Sequence, residues 1–373
     1  MDSTIKPPDQ ASQLYAPPAK NGIATPATKL NQYLIENLQE ARELFELRRE
    51  CWGSEKADRY LKKKRKYADN ANEKAQLGFF KLMRSLGHQM NRATFALKIK
   101  KRTKAPAVLD LCIAPGGFAA AALRINPQAS VCGFSLPEES GGHKLHLLSQ
   151  DKSLTSRVNV EFRDITMMAA EMGCDPDDIP AEHPEAAEFS FDRPFADQKF
   201  SLAICDGQVL RTHDRCAYRG RHEPARLTAS QFVMALRRVR TNGTIVALTH
   251  QVDSLHTFCK LHSLASFSEL KLFKPVEEFG KQPSFYIVAT NVKPCSEGAK
   301  QAIEECMRAW KSATFDFDKE NNKEIYGAVS LEQFDKMLDE FGPAYLELAR
   351  PILAIEAAAL RRAPWMRRQQ QLQ

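Results

Sequence analysis

Apolar residues first recur at helical spacing at Leu34, Leu38, Leu44, Phe45 and Leu47, and again at Leu77, Phe80, Leu82, Met83 and Leu86. This periodicity predicts helices from Lys29 to about Lys104. From residue 105 to 293 short apolar runs alternate with helical stretches, as in βαβ units. The runs predict strands at Ala107 to Leu111, Ser130 to Ser135, Val158 to Phe162, Ser201 to Cys205, Thr244 to Thr249, Glu269 to Phe273 and Phe285 to Thr290. A helix at Ser230 to Val239 precedes the fifth strand and leads to it through Thr241, Asn242 and Gly243. Between the last two strands lies a short non-helical segment with Pro275, Gly280 and Pro283, which predicts an antiparallel pair at the sheet edge. The expected fold class is therefore α/β, a seven-stranded, mostly parallel sheet closed by an antiparallel edge hairpin and flanked by N- and C-terminal helical extensions.

The chain divides accordingly. Residues 1–27 hold Pro7, Pro8, Pro17, Pro18 and Pro26 among small polar residues, a composition that predicts a disordered leader. Residues 28–104 form a basic helical region, 105–293 the α/β domain and 294–373 a helical extension. In the last of these, Ser330 and Gln333 make a capping-box pattern ahead of Phe334, Met337, Leu338 and Phe341. Two insertions interrupt the α/β pattern. Residues 171–198 carry nine acids, one arginine and four prolines, and predict a flexible acidic loop. Residues 207–226 carry Arg211, Arg215, Arg219, Arg221 and Arg226 with His213 and His222, directly after the fourth strand.

Charge changes this picture more than composition does. The chain has 373 residues and a net charge of +7, but residues 41–104 alone hold 19 Lys or Arg against 7 Asp or Glu. Such a local excess suits phosphate backbones, which are bound through counterion release whatever their sequence. A solvated helix face is the plainer reading of any such run. The block Lys62 to Lys66 fits a nuclear-import signal, an RNA contact or a basic helix surface. The basic tail Arg361 to Arg368, with Trp365, is a further candidate RNA contact, though terminal residues often fray. No apolar stretch is long enough to span a bilayer and no signal-peptide core is present, so a soluble protein of the nucleus or cytoplasm is expected. The nine cysteines are scattered, without spacing that suggests zinc, and read as reduced thiols.

The most specific run is Asp110-Leu111-Cys112-Ile113-Ala114-Pro115-Gly116-Gly117-Phe118. It reads as the end of a buried strand, a tight turn and the first turn of a helix, where nucleotide-binding α/β folds place their ligand. It lacks the third glycine of GxGxxG and the Gly-Lys-Ser/Thr ending of a phosphate loop, which disfavours dinucleotides and ATP. The run resembles the first motif of the FtsJ-like, S-adenosylmethionine-dependent methyltransferases, which methylate the ribose 2'-hydroxyl of RNA. The resemblance extends over roughly residues 77 to 292 and implies a Rossmann-like methyltransferase fold with S-adenosylmethionine as cofactor.

What the resemblance implies for single residues is uneven. Asp110, Cys112, Pro115, Gly116, Gly117 and Phe118 fall in the cofactor loop, with Asp110 matched to the cofactor's amino group and the Gly116, Gly117 and Phe118 amides at a helix N-terminus. An Asp at that point also serves as an ordinary helix cap. Ser135 stands where the family has an acid for the ribose hydroxyls, with Glu138 as a substitute carboxylate, and Asp164 matches the aspartate that meets the adenine amino group. Of the family's catalytic Lys, Asp, Lys and Glu, Lys81 and Asp206 match the first two, and Asp206 also borders the cofactor. Leu248 and Ser284 stand at the other two positions, which leaves His250 or Lys281 to supply the missing polar group. The implied partner is RNA, held by the basic segment 41–104 and the Arg-rich loop 207–226. The implied activity is methylation of RNA at the ribose 2'-oxygen. A methyltransferase fold that has lost catalysis and binds RNA or a partner is the alternative, and methylation of protein or a small molecule a third.

Overall fold

The computed structural model describes residues 24–51, 54–209, 213, 215–316 and 329–366. The proposed leader up to residue 23, Arg211 and the tail from residue 367 lie outside the described residues. Four helices come first: α1 (Pro26–Asn37), α2 (Gln39–Cys51), α3 (Glu55–Asp69) and α4 (Glu73–Thr94). The sheet strands are β1 (Ala107–Asp110), β2 (Ser130–Ser135), β3 (Val158–Phe162), β4 (Phe200–Cys205), β5 (Val239–His250), β6 (Glu269–Phe273) and β7 (Ser284–Val292). Helices α5 (Gly117–Ile125), α6 (Leu147–Gln150), α7 (Arg219–Arg238), α8 (Leu255–Ala265) and α9 (Val276–Phe279) connect them. Two long helices follow, α10 (Glu297–Phe315) and α11 (Leu331–Arg361). None of these helices is long and apolar enough to cross a membrane.

The strand order is β3-β2-β1-β4-β5-β7-β6, and β7 runs antiparallel to both of its neighbours. The expected edge hairpin is present, with β6 outermost and β7 turned back between β5 and β6. Because β7 runs backwards, its first residue, Ser284, lies beside His250 at the carboxyl end of β5. The inner strands β1, β2, β4 and β7 read as nearly continuous apolar runs because both of their faces are covered. Val108, Val131, Leu202, Val246 and Val288 pack towards α4 and α5. Their neighbours Leu109, Cys132, Ala203, Ile245 and Ile287 pack on the other face, in a core shared with Leu30, Leu34 and Leu44 of the N-terminal helices and Phe334, Tyr345 and Ile352 of α11. That alternation is the two-residue period of a strand.

The capping box at α11 forms as the sequence predicts: Ser330 Oγ accepts from the Gln333 amide at 3.1 Å and Gln333 Oε1 from the Ser330 amide at 3.0 Å. Two expectations need correction. Helix α7 begins at Arg219, eleven residues ahead of the predicted Ser230, because Arg219, Glu223 and Arg226 pair at helical spacing within its first turns. The acidic segment 171–198 is also no free loop. Short 3₁₀ turns carry it across the surface, Glu171 is fully buried against Arg238, and Met172, Cys174 and Phe189 form a small core with Trp310 of α10.

Candidate functional site

The strand order reverses between β1 and β4, and the loops leaving their carboxyl ends enclose a cavity of about 620 Å³. A ligand crevice is expected at such a switch point. Cys112 and Pro115 from the β1 loop, Ser135 from the end of β2, Asp164 after β3 and Asp206 after β4 all line it. The structure brings these five sequence-named residues together at one cavity. Gly116, Gly117 and Phe118 lie behind the wall and shape it. Gly116 adopts φ +100°, and a Cβ there would come within 2.7 Å of Leu147 Cβ. A Cβ on Gly117 would strike the backbone of α4 at the Phe80 carbonyl and within 2.7 Å of the Arg84 amide. Two glycines therefore let α4 sit directly on the start of α5. Phe118 is buried edge-on against Tyr286, ring centres 5.5 Å apart.

Asp110 is buried one layer beneath the cavity, and its carboxylate accepts from the Cys112 amide at 3.4 Å. Burial pushes its pKa up to about 7. Asp206 accepts a 3.0 Å hydrogen bond from the Tyr286 hydroxyl. Burial raises it to about 8, against the lowering effect of the Tyr286 bond, and the Asp110 charge adds to the rise. Among the described residues neither carboxylate has a cationic side chain as partner. Two buried acids without counter-charge suit a ligand that brings positive charge of its own.

Other expectations fail for identifiable reasons. Lys81 is exposed on α4 and does not line the cavity; Phe79 and Met83, one helical turn apart, face it instead, which turns Lys81 away. His250 stands outside the wall, its Nδ1 2.9 Å from Ser284 Oγ and its Nε2 3.2 Å from Oε1 of Gln208, the residue that does line the cavity. Surrounding protein, helped by the Lys260 and Lys274 charges, lowers its pKa to about 4, so the ring is neutral near pH 7 although its outer edge meets solvent. Lys281 lies over the Tyr60 and Trp365 rings, at 5.8 and 5.9 Å, away from the cavity. Glu138 is exposed and takes no part in the wall, so it does not supply the carboxylate that Ser135 lacks.

Asp164 lines the cavity but is already engaged. Its Oδ1 accepts from the Thr166 amide and hydroxyl at 2.9 and 2.7 Å, and its Oδ2 from Arg219 at 2.5 Å. Burial pushes this carboxyl up, but Arg219 and Thr166 outweigh it and hold the pKa below the usual range. Arg219 and Arg226, expected to meet phosphates, are instead buried around Glu223. The sequence reading missed three features of the wall and its support: Tyr286 as partner of Asp206, Gln208 as partner of His250, and His143; His213, named in the Arg-rich loop, also lines the wall. Tyr286 left a signal, being two residues beyond Ser284 and so on the same face of the strand.

The profile of the FtsJ-like methyltransferase family matches residues 78–292, more than half of the chain. The chain belongs to the FtsJ-like methyltransferase family. Its cofactor is S-adenosylmethionine, and the two uncompensated acids of this family member fit that group, which carries a sulfonium and an ammonium. Curated protein sequences yield no match to the chain. Among solved structures this FtsJ-like chain is similar to an rRNA methylase from Streptococcus thermophilus, at 12% identity and TM-score 0.32, covering 56% of this chain and 97% of the other. It is also similar to TrmN from Thermus thermophilus, at 14% identity and TM-score 0.34, covering 56% of this chain and 48% of the other. The N-methyltransferase NodS from Bradyrhizobium japonicum gives 12% identity and TM-score 0.35, covering 56% and 96%.

Proposed function

We propose that this methyltransferase acts on RNA, with a ribose 2'-hydroxyl as acceptor. The observation that carries the reading is the position of the basic helix α3. It lies against the loop leading into β7, where Lys64 Nζ meets the Glu278 carbonyl at 3.5 Å and Lys281 covers Tyr60, and so stands at the carboxyl end of the sheet where the cavity opens. The second basic cluster, Lys98 to Lys104, precedes β1 at the opposite end of the sheet; Arg240, near the start of β5, donates to the Lys104 carbonyl at 2.9 Å. Only part of the basic segment is therefore near the chemistry.

Bound in the cavity, the sulfonium supplies an electrophilic methyl carbon. Asp206 in its ionised form would accept the acceptor hydroxyl's proton as that oxygen takes the methyl group which the bound cofactor would supply. Tyr286 holds the Asp206 carboxylate in place, and neutral His250 holds Gln208. Methyl transfer from labelled cofactor to a panel of RNAs, followed by nuclease digestion and mass analysis of the nucleosides, tests the reading. Label on ribose supports it, and label in protein or small molecules alone overturns it.

A second reading, RNA binding without turnover, has its own observation. Leu248 occupies the cavity wall opposite Tyr286 and Ser284 faces His250, so neither provides charge to the acceptor. The double variant Leu248→Lys with Ser284→Glu separates the two. Activity gained only in the variant supports lost catalysis, and robust activity of the natural chain excludes it.

A further inference from the structure

The stretch that matches the family begins at residue 78, so α3 lies wholly outside it. Its charge pattern is unusual for a helix that only meets solvent. Arg59, Lys62, Lys63 and Lys66 are all exposed and fall three or four residues apart, where like charges repel and destabilise a helix. Residues 59–68 contain no acid, and the one ion pair on this helix among the described residues is Arg59 with Glu55 at 3.7 Å. Among the described residues Lys62, Lys63 and Lys66 form no ion pair, which leaves their charge free to meet phosphates.

An aromatic series accompanies these cations. Tyr67, 58% exposed at the end of α3, meets the edge of Phe79 at 5.7 Å between ring centres, and Phe79 meets His143 at 6.0 Å. Phe79 and His143 both line the cavity. The loop carrying His143 is fastened to α4 by Lys144, whose Nζ pairs with Glu73 at 2.8 Å and whose amide donates to Gln76 at 2.9 Å. At its other end α3 is fixed by Tyr60 against Trp365 at 4.9 Å. Aromatic rings therefore lead from a solvent-exposed face into the site, with lysines beside them.

We propose that α3 is the docking surface for a single-stranded stretch of RNA next to the methyl acceptor. Its lysines hold phosphates, and Tyr67 stacks on a base at the mouth of the cavity. Single strands expose base faces to aromatic side chains and duplexes do not, which selects the occupant. The proposal rests on the RNA reading above.

The test uses the full chain, a labelled single-stranded RNA of mixed sequence and its duplex. Anisotropy is read over a range of salt, and cofactor binding is followed separately by calorimetry. The triple variant Lys62→Glu, Lys63→Glu and Lys66→Glu is expected to lower the logarithmic salt slope by about 2, at roughly 0.7 for each single-strand phosphate that is no longer neutralised. Tyr67→Ala is expected to weaken single-strand binding by about 5- to 100-fold, with Tyr67→Trp restoring it and duplex binding unmoved. Both variants keep normal cofactor affinity, since these side chains are exposed. Natural protein that binds no RNA overturns the RNA reading itself. Natural protein that binds RNA, with variants that bind equally well at every salt concentration, overturns the role of α3 alone.

Discussion

Tyr286, on the one antiparallel strand of the sheet, donates its phenolic hydrogen to Asp206 at the end of β4 across 3.0 Å. That bond favours the ionised carboxylate and opposes the effect of burial. Tyr286→Phe removes the donor, so the Asp206 pKa rises further above about 8. The rising limb of the pH profile of methyl transfer should move to higher pH in this variant, while Asp206→Asn should lose turnover by about 10²- to 10⁴-fold at every pH. An unmoved limb in Tyr286→Phe would remove Asp206 from the proton transfer.

Cofactor affinity should depend on pH for the same electrostatic reason. Asp110 and Asp206 titrate at about 7 and about 8, so both are largely protonated at pH 6 and ionised at pH 9. Binding a cation favours the ionised forms and releases protons, and affinity should rise by up to roughly tenfold per pH unit per group across this window. Calorimetry in buffers of different ionisation enthalpy reads the proton release directly, and Asp110→Asn should reduce it.

Folding stability should respond with the opposite sign. Both carboxyls bind protons more tightly in the folded chain than in the unfolded chain, whose aspartates titrate near 3.8. Their contribution is therefore fully favourable below that value and is lost as pH rises towards about 8. Denaturant midpoints of the natural chain and of the double variant Asp110→Asn with Asp206→Asn, measured from pH 5 to 9, should diverge as pH increases. Parallel curves would mean that the two groups titrate normally.

Gly207 tests how closely the β1 and β4 loops meet. A Cβ at this position would collide with Cys112 Sγ and come within 2.9 Å of Gln231 Oε1. Gly207→Ala should weaken cofactor binding by about tenfold or more and cost about 1–3 kcal/mol of stability. Adding Cys112→Ala should recover part of both losses. A single variant that binds normally would show that the two loops move apart freely.

Beside the carboxyl end of β5 lies a buried ion network. Lys274 donates to the Gln282 carbonyl, to the Ser284 carbonyl at 3.1 Å and to Glu356 at 3.2 Å, and Arg48 pairs with Glu356 at 2.7 Å and with Asp253 at 2.6 Å. All but Asp253 are nearly inaccessible. Glu356→Gln leaves two cations facing one carboxylate and should cost about 3–5 kcal/mol in denaturant unfolding. Lys274→Met should in addition disturb the start of β7, visible as a change in the environment of Tyr286.

The sheet was legible in the sequence because its signals are local. Every strand shows its own apolar run between turn residues, and the loop at Ala114 to Gly117 shows its own backbone demands. Side-chain partnerships were not legible, because they are made across long separations. Nothing local distinguishes Arg219, buried against Asp164, from Arg221, exposed two residues on. The resemblance pointed to Lys81 by its run but could not give the phase of α4, which brings Phe79 and Met83 to the cavity instead. Asp206 was named through the family resemblance, from its place just after β4, whereas its partner Tyr286 comes from a strand 80 residues later.

The shared core has a consequence for modularity. Leu34 and Leu44 ahead of the family stretch, and Phe334 and Tyr345 after it, fill the same apolar layer as the sheet residues Ala203 and Ile287. A fragment trimmed to residues 78–292 would open that layer to water and leave Lys274 without its carboxylate, so it should not behave as a portable unit. In this protein the two ends are structural parts of the methyltransferase rather than attachments to it, and drift in either end would be constrained by the sheet between them.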